Sequence, residues 1–162
     1  MSKQPTSRMC FVCGRENPVG LKLEFHASED EKEVRAYLTI PEAYQGYPGV
    51  VHGGIVSTIL DEVSGRAVML HEGEDRFMAT LRMAVRFRHP TPTETPLTAV
   101  GWVEQLGGIG ARVAGEIRLQ DGTVTADCDS LLADTPAEFK ESWEGERAYW
   151  RMSDEESPPA IG

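Results

Sequence analysis

The chain has 162 residues, 40% of them hydrophobic and 26% charged, with a formal net charge of −10 at pH 7; this is the make-up of one globular domain large enough to bury a core. The charge argues against nucleic acid as the main partner, because phosphate binding needs a net basic face. No apolar run reaches the roughly 18 residues of a bilayer span, and MSKQPTSRMC lacks the apolar segment of a signal peptide, so the expectation is a cytoplasmic protein that engages no membrane.

Residues 1–20 read as a leader. Its Cys10 and Cys13 form a CxxC, and with Cys128 the cysteine count is odd, so they cannot all pair within the chain. A zinc site would need two more ligands, and no second CxxC or HxxxH follows. A redox pair should open a helix after a strand, whereas Cys13-Gly14 runs on to Asn17-Pro18-Val19-Gly20, which is turn chemistry. The reading is therefore structural thiols, with Cys128 in the core.

Leu21, Leu23 and Phe25 alternate with Lys22, Glu24 and His26, a half-buried strand. Ser28 to Glu31 is an acidic turn. Val34, Ala36, Leu38 and Ile40 make a second strand in hairpin with the first, ended by Pro41. Pro41 to Val51 is a loop rich in Tyr, Gly and Pro, of the kind that often binds ligands.

From Ile55 onward Val56, Ile59, Leu60, Val63, Ala67 and Leu70 recur at helical spacing and form a core face. Ser57, Thr58, Asp61, Ser64 and Gly65 lie opposite, so one carboxylate stands among small residues that let something come close. Glu62 is spaced for an ordinary i,i+4 ion pair with Arg66. The helix is introduced by His52-Gly53-Gly54, whose glycine N–H groups stand open at the positive helix end and suit an oxyanion. Gly53 and Asp61 are eight positions apart, roughly 12 Å along a helix, too far to serve one carbon within a single chain. Two such helices packed antiparallel across a two-fold axis would bring them together.

Beyond a polar break at His71 to Arg76, with Gly73 as stop signal, Phe77, Ala79, Leu81, Met83, Val85 and Phe87 alternate with Thr80, Arg82, Arg86 and Arg88, predicting a long strand with a basic face. That face could hold phosphates through forked guanidinium bonds. Leu97 to Gln105, Ile109 to Leu119 and Thr123 to Leu132 follow as strands, the last two in hairpin around Asp121-Gly122. Pro136 to Arg147 reads as a peripheral helix and Ser153 to Gly162 as a disordered acidic tail. The divisions are residues 1–20, 21–133 and a C-terminal extension, 134–162. The whole is an α+β layer pair.

His52-Gly53-Gly54 with an acid nine residues after the His, preceded by Tyr44-Gln45-Gly46-Tyr47-Pro48-Gly49, resembles the hotdog-fold acyl-CoA thioesterases of the phenylacetate-pathway (PaaI-like) type, over roughly residues 10 to 133. The leader form CxxCGxxNPxGL also occurs there. The resemblance implies an antiparallel six-stranded sheet wrapped around one long central helix. It implies that Gly53 supplies the oxyanion N–H and that Asp61 is nucleophile or base. It also implies that Gln45 polarises the thioester carbonyl, although the family carries its Asn or Gln where this chain has Gly46, and that Thr80 orients water. His52 reads as positioning the loop, or as an acid or base, and Gly54 as part of the same junction. The expected substrate is an acyl-CoA, processed by a homodimer or dimer of dimers. No metal or cofactor is required. Two other readings stand beside hydrolysis: an acyl-CoA-binding module without turnover, and a hotdog dehydratase or hydratase. The acyl group is not legible.

Overall fold

The computed structural model describes residues 1–30, 32–73 and 76–152. In chain order its elements are β1 (Ser2–Lys3), β2 (His26–Ala27), β3 (Glu33–Thr39), β4 (Gln45–Tyr47), β5 (Val50–Val51), α1 (Gly53–Arg66), α2 (Met69–Glu72), β6 (Met78–Phe87), β7 (Pro96–Leu106), β8 (Gly110–Leu119), β9 (Val124–Asp134) and α3 (Ala137–Glu144). Seven strands form one sheet in the order β1-β2-β3-β7-β8-β9-β6, every pair antiparallel, while β4 and β5 make a small separate hairpin. With α1 packed on the sheet this is the expected hotdog architecture, with one strand more than the six read from sequence. The additional strand, β1, comes from the leader.

The first expected strand is reduced to two ladder residues for a local reason. Leu23 and Phe25 are buried and Lys22 and Glu24 exposed, as the alternation required. However, the N–H groups of Leu21 and Leu23 donate to Phe11 and Val12 carbonyls of the CxxC turn, and Lys22 takes φ +53, a left-handed conformation that breaks an extended run.

On α1, Val56, Ile59, Leu60, Val63 and Ala67 are buried, as expected of its core face. Ser64, placed by sequence on the open face, is fully buried. The cause lies in the sheet: Gly101 on β7 and Gly115 on β8 are directly opposite each other, and α1 descends onto them. A Cβ at Gly101 would stand 2.2 Å from the Val63 carbonyl oxygen, and one at Gly115 3.4 Å from Ser64 Cβ. Two residues without side chains thus let the helix backbone approach closely.

Gly73, at φ +73, closes α2 where the stop signal was expected. The Asp121-Gly122 hairpin forms with Gly122 at φ +87. Trp143 of α3 packs on Phe77, centroids 4.7 Å apart, and on Trp150 at 5.4 Å, so the extension is tied to the start of β6. The expected acidic tail, Ser153 to Gly162, lies outside the described residues, as do Glu31, Glu74 and Asp75 of the expected turns. Among the described residues no helix is long and apolar enough to cross a membrane.

Candidate active site

Asp61 projects from the middle of α1 and accepts a hydrogen bond from Thr80 Oγ1 at 2.7 Å. The two line a cavity of about 520 Å³ whose apolar wall is built by Met69, Phe77, Met78, Leu132, Trp143 and Trp150. Thr80 was expected on the basic face of β6, with Arg82, Arg86 and Arg88, and the structure corrects this. The β6–β9 register runs Thr80↔Leu132 and then Arg82↔Leu131, so Leu81 is an extra, bulged residue. Cross-strand partners share a face: Leu132 is buried under the helix and Leu131 is exposed. The bulge therefore turns Thr80 inward while Arg82 stays outward, the re-aiming for which bulges are known.

At the other end of α1, His52 is the N-cap, and its Nδ1 accepts from the Gly54 N–H at 3.0 Å. The ring nitrogen that takes this bond holds no proton, and the Gly54 N–H is occupied. The Gly53 N–H has no acceptor among the described residues. Gly53 and His52 line a second cavity of about 480 Å³ with Tyr47, Val56, Phe87 and Arg88. Gln45, on β4, accepts from the Gly49 N–H at 3.2 Å and so braces its own loop. One protomer thus brings Asp61 to Thr80 and His52 to Gly54, but leaves Gly53 and Asp61 in different cavities.

The basic stripe is largely neutralised. Arg86 and Arg88 both pair with Asp127 of β9, and Arg86 also reaches Asp129 at 2.7 Å. Arg82 makes no ion pair among the described residues. Burial pushes the Asp127 carboxyl up, but the hydrogen bonds from Arg88 and Arg86 outweigh it and hold the group below its ordinary 3.8. A carboxylate with a depressed folded pKa stabilises above its unfolded value and loses that contribution as pH falls through the folded one. Asp127→Asn is therefore expected to unfold more easily than wild type at pH 7. The gap should close below about pH 3.8, as urea titrations at several pH values would read; a constant gap would place the effect outside this titration.

The CxxC turn is part of the same structure. Cys13 is buried and Cys10 half-buried, and both line the Asp61 cavity with Glu62 and Arg66. Glu62 pairs with Arg66 at 2.8 Å, the expected i,i+4 bond, and Arg66, 4% exposed as a side chain, also donates to the Pro5 carbonyl at 2.8 Å. The hydrogen bond from Cys10, with help from Arg66 and Ser7 and against burial, draws the Cys13 thiol down to about 4. Cys10 is pushed up by the same bond, by burial and by Glu62.

Residues 48–126 match the sequence model of the thioesterase superfamily. The match to the thioesterase superfamily spans just under half of the chain. Among solved structures, protein RHA08564, a thioesterase superfamily protein, is 33% identical with a TM-score of 0.70, the match covering 78% of this chain and 63% of that one. The chain thus spans less than two thirds of that relative's length. Two more distant structures share the fold. One is a hypothetical thioesterase protein with coenzyme A from Streptococcus pneumoniae TIGR4, at 19% identity, TM-score 0.62, 70% of this chain and 85% of that one. The other is smu.793 from Streptococcus mutans UA159 bound to acetyl CoA, at 18% identity, TM-score 0.62, 75% and 94%. A comparison with curated proteins gave no match.

The cavity wall beside Asp61 is what sequence reasoning missed. Phe77, Trp143 and Trp150 were assigned to a strand start and a peripheral segment. Three aromatic residues flanking a predicted strand and helix were the available signal, but nothing local indicates that they meet over Asp61.

Proposed function

We propose that the chain hydrolyses an acyl-CoA thioester to the free acid and CoA, at a site completed by a second copy of itself. The observation that carries this reading is the Asp61 carboxylate held by Thr80 at 2.7 Å on an apolar-walled cavity. A carboxylate fixed by a donated hydrogen bond stays oriented for attack or proton abstraction. The other half of the chemistry, the Gly53 N–H, stands at the helix N-terminus, roughly 12 Å away. Antiparallel packing of two α1 helices would join each Asp61 cavity to the partner's Gly53 cavity. The free edge of the sheet suits such a contact, since β6 pairs on one side only and exposes Leu81 at 67% and Phe87 at 58%, with Tyr47 at 79% nearby in the Gly53 cavity. The assembly is then a homodimer or a dimer of dimers, acting in the cytoplasm.

In this mechanism the Gly53 N–H donates to the thioester carbonyl oxygen as charge develops there. Asp61 either attacks the carbonyl carbon, expelling the CoA thiolate and leaving an anhydride that water cleaves, or takes a proton from the water that attacks. His52 positions the loop through its bond to Gly54. Arg82 is the arginine of the stripe best placed to meet CoA phosphates, while Arg86 and Arg88 stay paired to Asp127 unless the ligand displaces it. Two fold relatives were solved with coenzyme A and with acetyl CoA, which supports the choice of thioester.

The test is release of free CoA, followed with a thiol reagent, across short, medium, long and aromatic acyl-CoAs, with Thr80→Val in parallel. Losing a hydrogen bond to a charged group costs about 1.5–3 kcal/mol, so kcat should fall roughly 10–100-fold with KM little changed. Silence across the panel from a folded protein that still binds CoA esters would favour the binding module. Conversion of an enoyl thioester without thiol release would favour a hydratase.

A further inference from the structure

We propose that Cys10, Cys13 and Glu62 form a binding site for a thiophilic divalent cation of the zinc class, which fastens the N-terminal turn to the central helix. The three ligand atoms, two Sγ and one carboxylate oxygen, lie within 4.8 Å of one another. Four-coordinate zinc, with Zn–S near 2.3 Å and Zn–O near 2.0–2.2 Å, needs S–S and S–O separations of roughly 3.5–3.8 Å, so closure takes shifts of about 1.3 Å at most. Side-chain rotation supplies movements of that size.

The turn is built as a ligand turn. The Val12 N–H donates to Cys10 Sγ at 3.3 Å, and the Gly14 N–H returns to the Cys10 carbonyl at 2.8 Å. Gly14 is obligatory there, since a Cβ would stand 2.3 Å from that carbonyl oxygen. The spacing CxxCG is thus used to fold the backbone so tightly that both sulfurs face one point. Ser7 holds the turn from the other side, accepting from the Cys10 N–H at 3.1 Å and lying 3.6 Å from Cys13 Sγ.

Glu62 comes from a different element, which is why no spacing rule in the chain reveals it. One of its oxygens is taken by Arg66 Nε at 2.8 Å, an outer contact of the sort that orients a carboxylate ligand, and the carboxylate sets an oxygen within 4.8 Å of both sulfurs. Charge also balances. Two thiolates and a carboxylate sum to minus three, and a divalent cation with the Arg66 guanidinium restores zero, a requirement in a site where Cys13 and Arg66 are buried. Cys10, Cys13 and Glu62 all line the shared cavity, which leaves room for a water as fourth ligand.

The decisive experiment uses the full chain, reduced, stripped of metal by a chelator and titrated anaerobically with cobalt(II). Expected are a thiolate-to-cobalt charge-transfer band, visible bands of four-coordinate geometry, saturation at one equivalent per chain and bleaching by zinc. Cys128→Ser should keep the spectrum, Cys13→Ser should cut the charge-transfer band to about half or less, the double variant Cys10→Ser/Cys13→Ser should abolish it, and Glu62→Gln should weaken zinc binding by about tenfold or more. Wild type alone can overturn the proposal. Folded, reduced protein that develops no charge-transfer band sinks it. So does a band left undiminished by Cys13→Ser, or finding that the purified protein holds Cys10 and Cys13 as a disulfide with no metal, which would make them a redox pair.

Discussion

Asp61→Asn is expected to lower acyl-CoA turnover by roughly 10²–10⁴-fold, the usual contribution of a group that moves a proton or attacks in the rate-limiting step. Asparagine keeps the size of the side chain, and its amide oxygen can still accept the Thr80 hydrogen bond seen at 2.7 Å, so the fold and the cavity should persist. What is lost is the charge: an amide neither attacks a thioester nor takes a proton from water at neutral pH. A variant with wild-type melting behaviour and wild-type rate would remove Asp61 from the mechanism. A second substitution tests the shared site. Gly53 is the first helical residue, following an N-cap at φ −57 and ψ 135, a position that accepts proline. Gly53→Pro therefore deletes the N–H and little else. Each single variant should be nearly inactive, and subunits of the two mixed and reassembled in equal amounts should recover about a quarter of wild-type activity, because half of the dimers contain one intact composite site. If the mixture stays inactive while both variants dimerise, the two groups do not act across an interface.

The second large effect is structural. Gly101→Ala places a methyl 2.2 Å from the Val63 carbonyl oxygen, 2.5 Å from its carbon and 2.8 Å from Ser64 Cα, all backbone atoms of α1 that cannot rotate away. The helix must lift or the strand must bow. Overpacking of this kind costs about 1–3 kcal/mol and sometimes more, and contact with helix backbone puts this site at the upper end. In a domain of this size that corresponds to a loss of roughly 6–12 °C in melting temperature. Because α1 also carries Gly53 and Asp61, CoA release should fall with stability even at temperatures where the variant is folded. An unchanged melting temperature would mean that α1 sits further from β7 than described.

Several elements were legible because their signal is local. The apolar period of α1, its start at His52-Gly53-Gly54 and the Glu62–Arg66 pair follow from helical geometry, which depends only on spacing along the chain. So do the strands β3 and β6 to β9 and the Asp121-Gly122 turn. The HGG-plus-acid pattern also pointed to the superfamily whose model matches residues 48–126.

What the tertiary structure decided came from partners far away in sequence. A period-two reading of β6 carries Thr80 to the arginine face, and only pairing with β9 exposes the bulge at Leu81 that turns it to Asp61; one inserted residue inverts every side chain beyond it. Ser64 looked solvent-facing because its burial is set by Gly101 and Gly115, on strands the helix cannot know about. Arg86 and Arg88 looked free because Asp127 and Asp129 reach them across the sheet. Glu62 joins Cys10 and Cys13 although 49 residues separate it from Cys13. By itself the sequence determined which segments are helix and strand and which acid to watch, since those follow from periodicity; register, bulges and the close seat of α1 determined which side chains meet, since those follow from the packing of one element against another.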